Sequence, residues 1–516
     1  MSVSSILARA DRILPAAGGQ PFTRLQLARL LLGRPFTLML LLLVIEAALA
    51  AAVTYLVIKA SRDVIENRFL INDLLWILVV QCTSYGIGAI SWIYAERSGF
   101  KAFGLYMQRF ARENRERTKL LNEKPSREQV EPFLTGETFH IFFELVYELE
   151  HDLRMFLALI FNLLVFASEI DGTLPLAYGS VFAVLLTLQW TFRRRVAEAY
   201  LRNQRVTNRM TAHGYTAWDN VFTGNRYNLR LWMRGFKHRL REALGAQITA
   251  ILTREGLSAI SGMIGLTIVF GTIVYVAQKN AGDTAVLIAL AATLPRQIEL
   301  THDVHELASG WNEMLQLWTR MGGVVDNFRP PEDPAFAARA KFDRLILKEG
   351  DEVRVCGSVE EALRHVMAAP AGRIAVRGGN GSGKSTLLAA LKAEIKNRAY
   401  YFPTTDRLAF SFAQLRPPPS ASDADEDPVE ADTAHKGPRR GFSSGERQLK
   451  SLQEIVAWTD ASIYLLDEWD ANLDATNRAT ADALVETLAR RARVVEISHR
   501  DHGAAPRREP AARPAA

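Results

Sequence analysis

Residues Gly378 to Thr386 read GGNGSGKST, between a short apolar run, Arg373–Arg377 (RIAVR), and a helical run, LLAALKAEIK. Strand, glycine-rich loop and helix in that order make a phosphate cradle, the P-loop. Gly378, Gly379, Asn380, Gly381, Ser382 and Gly383 supply backbone N–H groups that can turn inward around phosphate oxygens. The N-terminus of the following helix adds positive potential there. Lys384 is expected to reach the terminal phosphates, the Ser385 hydroxyl to ligate magnesium, and Thr386 to complete the loop. Further on, ASIYLLDEWDANLD places an apolar strand, Ile463 to Leu466, ahead of Asp467 and Glu468. Asp467 is expected to hold magnesium and Glu468 to orient or deprotonate an attacking water. Alone, two acids after a strand would more often cap a helix. With a P-loop upstream they read as a catalytic pair, and the chemistry is magnesium-dependent binding and hydrolysis of ATP.

The chain that must position these residues is 516 long, more than one ordinary domain needs. Its last 200 or so residues read as soluble α/β protein, whereas apolar runs crowd the first 300. Six of those runs approach the roughly 20 residues that cross a bilayer. They are Phe36 to Ile58, Ile71 to Ala95, Met155 to Ile170, Leu174 to Phe192, Glu255 to Gln278 and Thr284 to Leu300. The fold class expected is therefore a helical membrane domain of six spans, residues 1–330, joined through Pro330 to Pro334 to an α/β P-loop domain, 331–503. Within the second domain a Pro-rich, acidic insert at about 416–440 and a tail at 504–516 cannot offset their ordering entropy by burial.

Charge counting sets a topology. Five Arg precede the first span, nine Lys or Arg lie in Glu96 to Glu150, and twelve lie in Arg193 to Arg241. The alternate connections carry two, none and one. That asymmetry places both termini on the cytoplasmic side of a multi-pass protein, here read as one of a bacterial inner membrane. The basic connections run to about 55 residues each, so the membrane helices are expected to extend into the cytoplasm. The net charge of +6 arises in these clusters and argues against a nucleic-acid surface. Two cysteines, Cys82 and Cys356, make neither a disulfide framework nor a metal site. Glu46 and Arg296 lie within spans and fit either a substrate pathway or a helix contact, while Gln81, Asn162, Gln189 and Gln297 read as helix–helix hydrogen bonds.

The whole pattern resembles the ATP-binding cassette (ABC) transporters in their exporter-like arrangement. Phe442 to Gln448 (FSSGERQ) looks like the family signature, with Ser443, Ser444, Gly445 and Glu446 in its positions. Leu473 and Asp474 look like the end of the family's D-loop, and VVEISHR places His499, 31 residues beyond Glu468, as the switch histidine. LTGETFHIFFELVYEL and WDNVFTGNRYNLRLW look like the two intracellular regions that dock on nucleotide domains. The resemblance implies a catalytic set of Lys384, Glu468 and His499, and a signature that serves nucleotide held by a partner subunit. A second copy of the chain, the lipid bilayer and a transported substrate are the partners implied.

Four positions depart from the family pattern. Ser444 stands where glycine is usual, and Thr404 or Thr405 where a magnesium-sensing Gln is expected. Phe342 is the nearest aromatic that could stack on adenine, and the stretch from P-loop to signature is short. The function expected is export of a small peptide, cyclic or lasso-type. Export of lipid or drug, import on the same scaffold, and an ATP-dependent sensor that moves no solute are the alternatives. Lys384→Ala is expected to abolish ATP binding in an equilibrium binding assay; unchanged affinity contradicts the P-loop assignment.

Overall fold

The computed structural model describes residues 22–66, 68, 71–134, 136–405, 408–413 and 443–498. His499, Phe442, the insert at about 416–440 and the tail 504–516 lie outside the described residues. The chain divides into two compact units: Met1–Phe110 with Glu131–Phe328, and Ala111–Val130 with Arg329–Ala516.

The first unit is helical. Its elements are α1 (Arg24–Arg29), α2 (Arg34–Ile65), α3 (Ile71–Asn114), the C-terminal end of α4 (Lys124–Leu134), α5 (Gly136–Glu169), α6 (Thr173–Gly214), α7 (Ala217–Phe222), α8 (Arg226–Lys279), α9 (Thr284–Ala292) and α10 (Leu294–Phe328). Among the described residues, five helical stretches are long and apolar enough to cross a membrane: Arg34–Ile65, Ile71–Asn114, Gly136–Glu169, Thr173–Phe222 and Arg226–Lys279. The sixth expected span is divided. Its first piece, α9, stops at Thr293, whose hydroxyl donates to the Ala289 carbonyl at 2.8 Å. Pro295 lies in the first turn of α10 and has no N–H to give to the turn before it, so one helix does not run through.

α2 shows how a sequence apolar on all sides is placed. Phe36, Met39, Leu43, Ala47, Ala51, Thr54 and Ile58 are buried at helical spacing, while Leu38, Leu41, Val44 and Ile45 are exposed. One stripe packs on neighbouring helices, and the other face is a surface that lipid would cover. In α8 the buried residues combine small ones, Ala243, Ala246, Ala250, Ser261 and Gly265, with Leu257, Val269 and Val276, and the helix packs along α6. Small side chains let two backbones approach closely, which is how helices associate where no water drives them together.

Several polar residues within the spans bond to neighbouring helices. Thr54 donates to the Asn162 Oδ1 at 2.6 Å, and Arg296 donates to the same oxygen at 3.4 Å, tying α2, α5 and α10. Glu46 is ion-paired with Arg154, which also pairs with Glu150. Gln189 donates to Ser309 at 3.4 Å and Gln297 to Thr293 at 3.0 Å. The region LTGETFHIFFELVYEL, read as a docking element, buries Ile141, Phe142, Leu145 and Val146 in the core of the first unit.

The second unit is a three-layer sandwich. β1 (Ile346–Glu349), β2 (Glu352–Val355), α11 (Val359–Val366), β3 (Gly372–Arg377), α12 (Lys384–Ile395), β4 (Ala399–Phe402), α13 (Ser444–Trp458), β5 (Ile463–Asp467), α14 (Ala475–Arg491) and β6 (Arg493–Ile497) follow in order. The sheet runs β2-β1-β3-β6-β5-β4. β1 is antiparallel to both neighbours, and β3, β6, β5 and β4 are parallel. β5 (IYLLD) and β6 (RVVEI) are buried along their whole length, as central parallel strands covered on both faces must be. Leu387, Leu388 and Leu391 of α12 pack with Leu465 and Val495 on one face. Leu452 of α13 and Val485 of α14 pack with Tyr464, Leu466 and Val494 on the other.

Ion pairs brace the sheet. The Arg373 guanidinium on β3 bridges Glu496 on β6 and Asp482 on α14, at 2.8 and 2.7 Å. Arg493 is almost wholly buried and donates twice to the Glu349 carboxylate. Removing one partner of such a pair leaves a buried charge uncompensated. Glu349→Ala is therefore expected to destabilise the unit by about 3 kcal/mol, the low end for a broken buried pair because Glu349 is partly exposed. Thermal unfolding of the full chain measures it, and a variant as stable as the parent contradicts the bracing role.

Candidate functional site

The strand order brings the sequence-predicted residues together. β6 lies between β3 and β5, so the loop after β3 and the carboxylates after β5 meet over the C-terminal end of β6. That edge of a parallel sheet is where ligands bind. The loop is shaped for close approach. Gly383 has φ +90°, and a Cβ there would sit 2.7 Å from the Ala340 Cα. A Cβ on Gly378 would meet the Arg344 carbonyl at 2.6 Å. Gly381 is also left-handed, at φ +73°. α12 begins at Lys384 with Gly383 as its N-cap, so its first N–H groups face the loop.

The Ser385 hydroxyl donates to the Asp467 Oδ1 at 3.0 Å, across 82 residues of sequence. The Lys384 ammonium donates to the carbonyls of Gly378 and Gly379 at 2.9 and 3.3 Å. Asn380 and Gly381 are exposed at the tip of the loop and Thr386 is half-buried in the first turn of α12. Ser382 is buried, and its hydroxyl has no hydrogen-bond partner among the described residues. Two hard oxygen donors together suit a small divalent cation of the magnesium type. The glycine-rich cradle and the orphaned Ser382 hydroxyl fit a phosphate.

Asp467 is the strained member. Burial pushes its carboxyl up to about 6, against a lowering by the Ser385 hydrogen bond and a further rise from the adjacent Glu468. Glu468 itself adopts φ +49°, a left-handed backbone that costs a residue with a side chain about 1 kcal/mol or more. Its carbonyl is held by Gln448 Nε2 at 3.0 Å and by the Ala471 N–H at 3.1 Å. Trp469 next to it is fully buried, with its indole N–H on Glu496 at 2.8 Å. Asp470 is buried as well and accepts from Ser498, the last described residue before His499, at 3.1 Å.

The signature-like residues have a local explanation. Ser443 caps α13 by accepting from the Glu446 N–H at 3.2 Å, and the Glu446 carboxylate accepts from the Ser443 N–H at 2.9 Å. This reciprocal pair is a capping box. Ser444 is exposed on the first turn, and Gly445 lies so close to Asn472 that a Cβ would meet its carbonyl at 2.6 Å. Asp474 caps α14 through the Asn477 N–H at 2.7 Å. Thr404 donates to the Asp467 carbonyl at 3.3 Å. Phe342 is half-buried against the sheet core.

Sequence reading missed two residues that touch this centre and gave no role to a third: Gln448, the last residue of FSSGERQ, holds the Glu468 backbone. Tyr401 donates to Asp467 Oδ2 at 3.4 Å, and Asn122 donates to the Ser385 carbonyl at 3.2 Å. Nothing local marks either residue. Separately, the first unit contains a polar cavity of about 360 Å³ lined by Glu148, Asp152, Gln189, Tyr200, His305 and Glu313 among others. No protein-family model matches this chain, and a search of curated proteins finds no match.

The raised Asp467 carboxyl has a defined effect on stability. A folded-state value near 6 against 3.8 unfolded means that the folded chain holds this proton more tightly. The stabilisation is complete below about pH 4 and is lost as pH rises through 6. At neutral pH the ionised Asp467 thus costs on the order of 3 kcal/mol. Asp467→Asn is expected to raise the thermal stability of the ligand-free chain at pH 7.5 and to change it little at pH 4. A variant less stable than the parent at pH 7.5 contradicts this account.

Proposed function

We propose that this chain is an ATP-hydrolysing half-transporter of ABC type that works as a homodimer and moves a substrate out across the bacterial inner membrane. The observation that carries the reading is the Ser385–Asp467 hydrogen bond beneath the glycine cradle, with Glu468 as the next residue. Magnesium, when bound, would draw charge from the phosphate oxygens, and Ser385 and Asp467 are the residues that would hold it. Lys384, already turned toward the loop, neutralises phosphate charge. Glu468 serves as the general base for water, its backbone fixed by Gln448. His499 positions the terminal phosphate in this scheme.

The second copy follows from two features. Ser443, Ser444, Gly445 and Glu446 resemble a signature that completes a partner's site. In the first unit, Tyr215, Trp218, Phe222 and Tyr227, around α7 at the tip of α6 and α8, are each at least 70% exposed. Four aromatics left in water form an apolar surface that a partner would cover. The five membrane-length helices, with α9 and α10 as the sixth crossing, enclose the route. The polar cavity of the first unit is suited to a small peptide cargo, since its carboxylates and imidazoles offer hydrogen bonds within a helical bundle. Both termini lie in the cytoplasm in this topology.

The test is ATP-dependent uptake of labelled small peptides into inside-out vesicles carrying the parent or Glu468→Gln. The parent is expected to accumulate peptide, and the variant to lose ATP turnover by about 100-fold or more and transport with it. Equal uptake by both sinks the coupled mechanism.

A further inference from the structure

The loop expected to carry a magnesium-sensing amide has none in that place, and its Thr404 reaches only the backbone of Asp467. The side chain of Asp467 is served from elsewhere. Oδ1 accepts from Ser385 at 3.0 Å and Oδ2 from the Tyr401 hydroxyl at 3.4 Å, so both oxygens are oriented. Tyr401 lies on β4, next to β5, which brings its hydroxyl to Asp467.

Asn122 meets the same pair from the other side: its Nδ2 donates to the Ser385 carbonyl at 3.2 Å. Asn122 ends a short helical turn, Thr118–Asn122, that packs on α12. The Thr118 hydroxyl donates to the Ala389 carbonyl on that helix at 3.5 Å. The turn is fastened at both ends. Arg117 pairs with Glu332 at 2.9 Å, and the buried Glu123 lies 3.7 Å from Arg339. In sequence this stretch is the connection between α3 and α5, two of the membrane-length helices, yet it folds as part of the sheet unit.

We propose that Asn122 and Tyr401 form a positioning relay, through which the connection between two membrane helices sets the orientation of the Asp467 carboxylate. The relay takes the place of an amide in the loop after β4. It rests on the reading of Ser385 and Asp467 as magnesium-holding residues. Neither Asn122 nor Tyr401 touches nucleotide in this scheme; each acts through Ser385 or Asp467. A displacement of the Thr118–Asn122 turn would change the hydrogen bonding at the Ser385 carbonyl, and with it the Ser385–Asp467 pair that Tyr401 orients from β4. The affinity for magnesium would follow.

The test uses the full-length protein in lipid nanodiscs, with parent, Asn122→Ala, Tyr401→Phe and the double variant. ATP binding is measured without magnesium and across a magnesium titration. Each single variant is expected to raise half-saturating magnesium about three- to tenfold, the worth of one hydrogen bond. Magnesium-free ATP binding is expected to stay at the parent value. The double variant is expected to go no further than a single one, because both interrupt the same chain of contacts. Additive losses, or equal loss of magnesium-free binding, mean separate structural contacts and overturn the relay. A parent that binds ATP with magnesium while neither variant shifts the titration overturns the relay alone. A parent that binds no ATP overturns the reading of the site and the relay with it.

Discussion

One hydrogen bond, from the Ser385 hydroxyl to the Asp467 carboxylate, defines what the second unit can do. It exists because β6 separates β3 from β5, leaving the glycine-rich loop and the acidic strand end to lean toward each other over the end of β6. The spacing is maintained by burial. β5 and β6 have no exposed face, so neither can slide without bringing its apolar residues into water. Arg373 ties β3 to β6, and Arg493 ties the start of β6 to the end of β1, bracing the sheet at the end opposite the loop.

The same burial raises the cost of the site. Asp467 is a carboxylate in a dry place, Glu468 is in an unfavourable backbone conformation, and the Ser382 hydroxyl lacks a partner among the described residues. These are features that packing alone would not select. Their concentration within one loop and one strand end is what makes this the candidate site. The signature-like residues contrast with them: Ser443, Glu446 and Asp474 are satisfied locally as caps, at no evident cost to the fold.

Much of this was legible in sequence where the pattern is local. GGNGSGKST between a strand and a helix specifies its own geometry, and IYLLDE specifies a buried strand ending in two acids. Apolar runs of membrane length were equally plain for five helices. The sixth differed because Pro295 interrupts it, an effect that average hydrophobicity does not register. Long-range partners were not legible. Asn122 and Ser385 are 263 residues apart, and Tyr401 meets Asp467 only because β4 pairs with β5. Polar residues within spans were ambiguous for the same reason: Asn162 becomes a helix contact once Thr54 and Arg296 are seen to converge on it.

The close packing of α6 on α8 has a mechanical consequence. At 1.5 Å per residue, the 54 residues of α8 extend about 80 Å, far beyond the roughly 30 Å of a hydrocarbon core. About 50 Å of it is therefore an arm, stiffened along its length by a second helix of 42 residues. Two helices packed along a shared seam resist bending better than either would alone. A tilt of about 10° at the membrane would sweep the far end of such an arm through about 9 Å, given that rise. The aromatic cluster at its tip is thus the point of greatest leverage in the first unit.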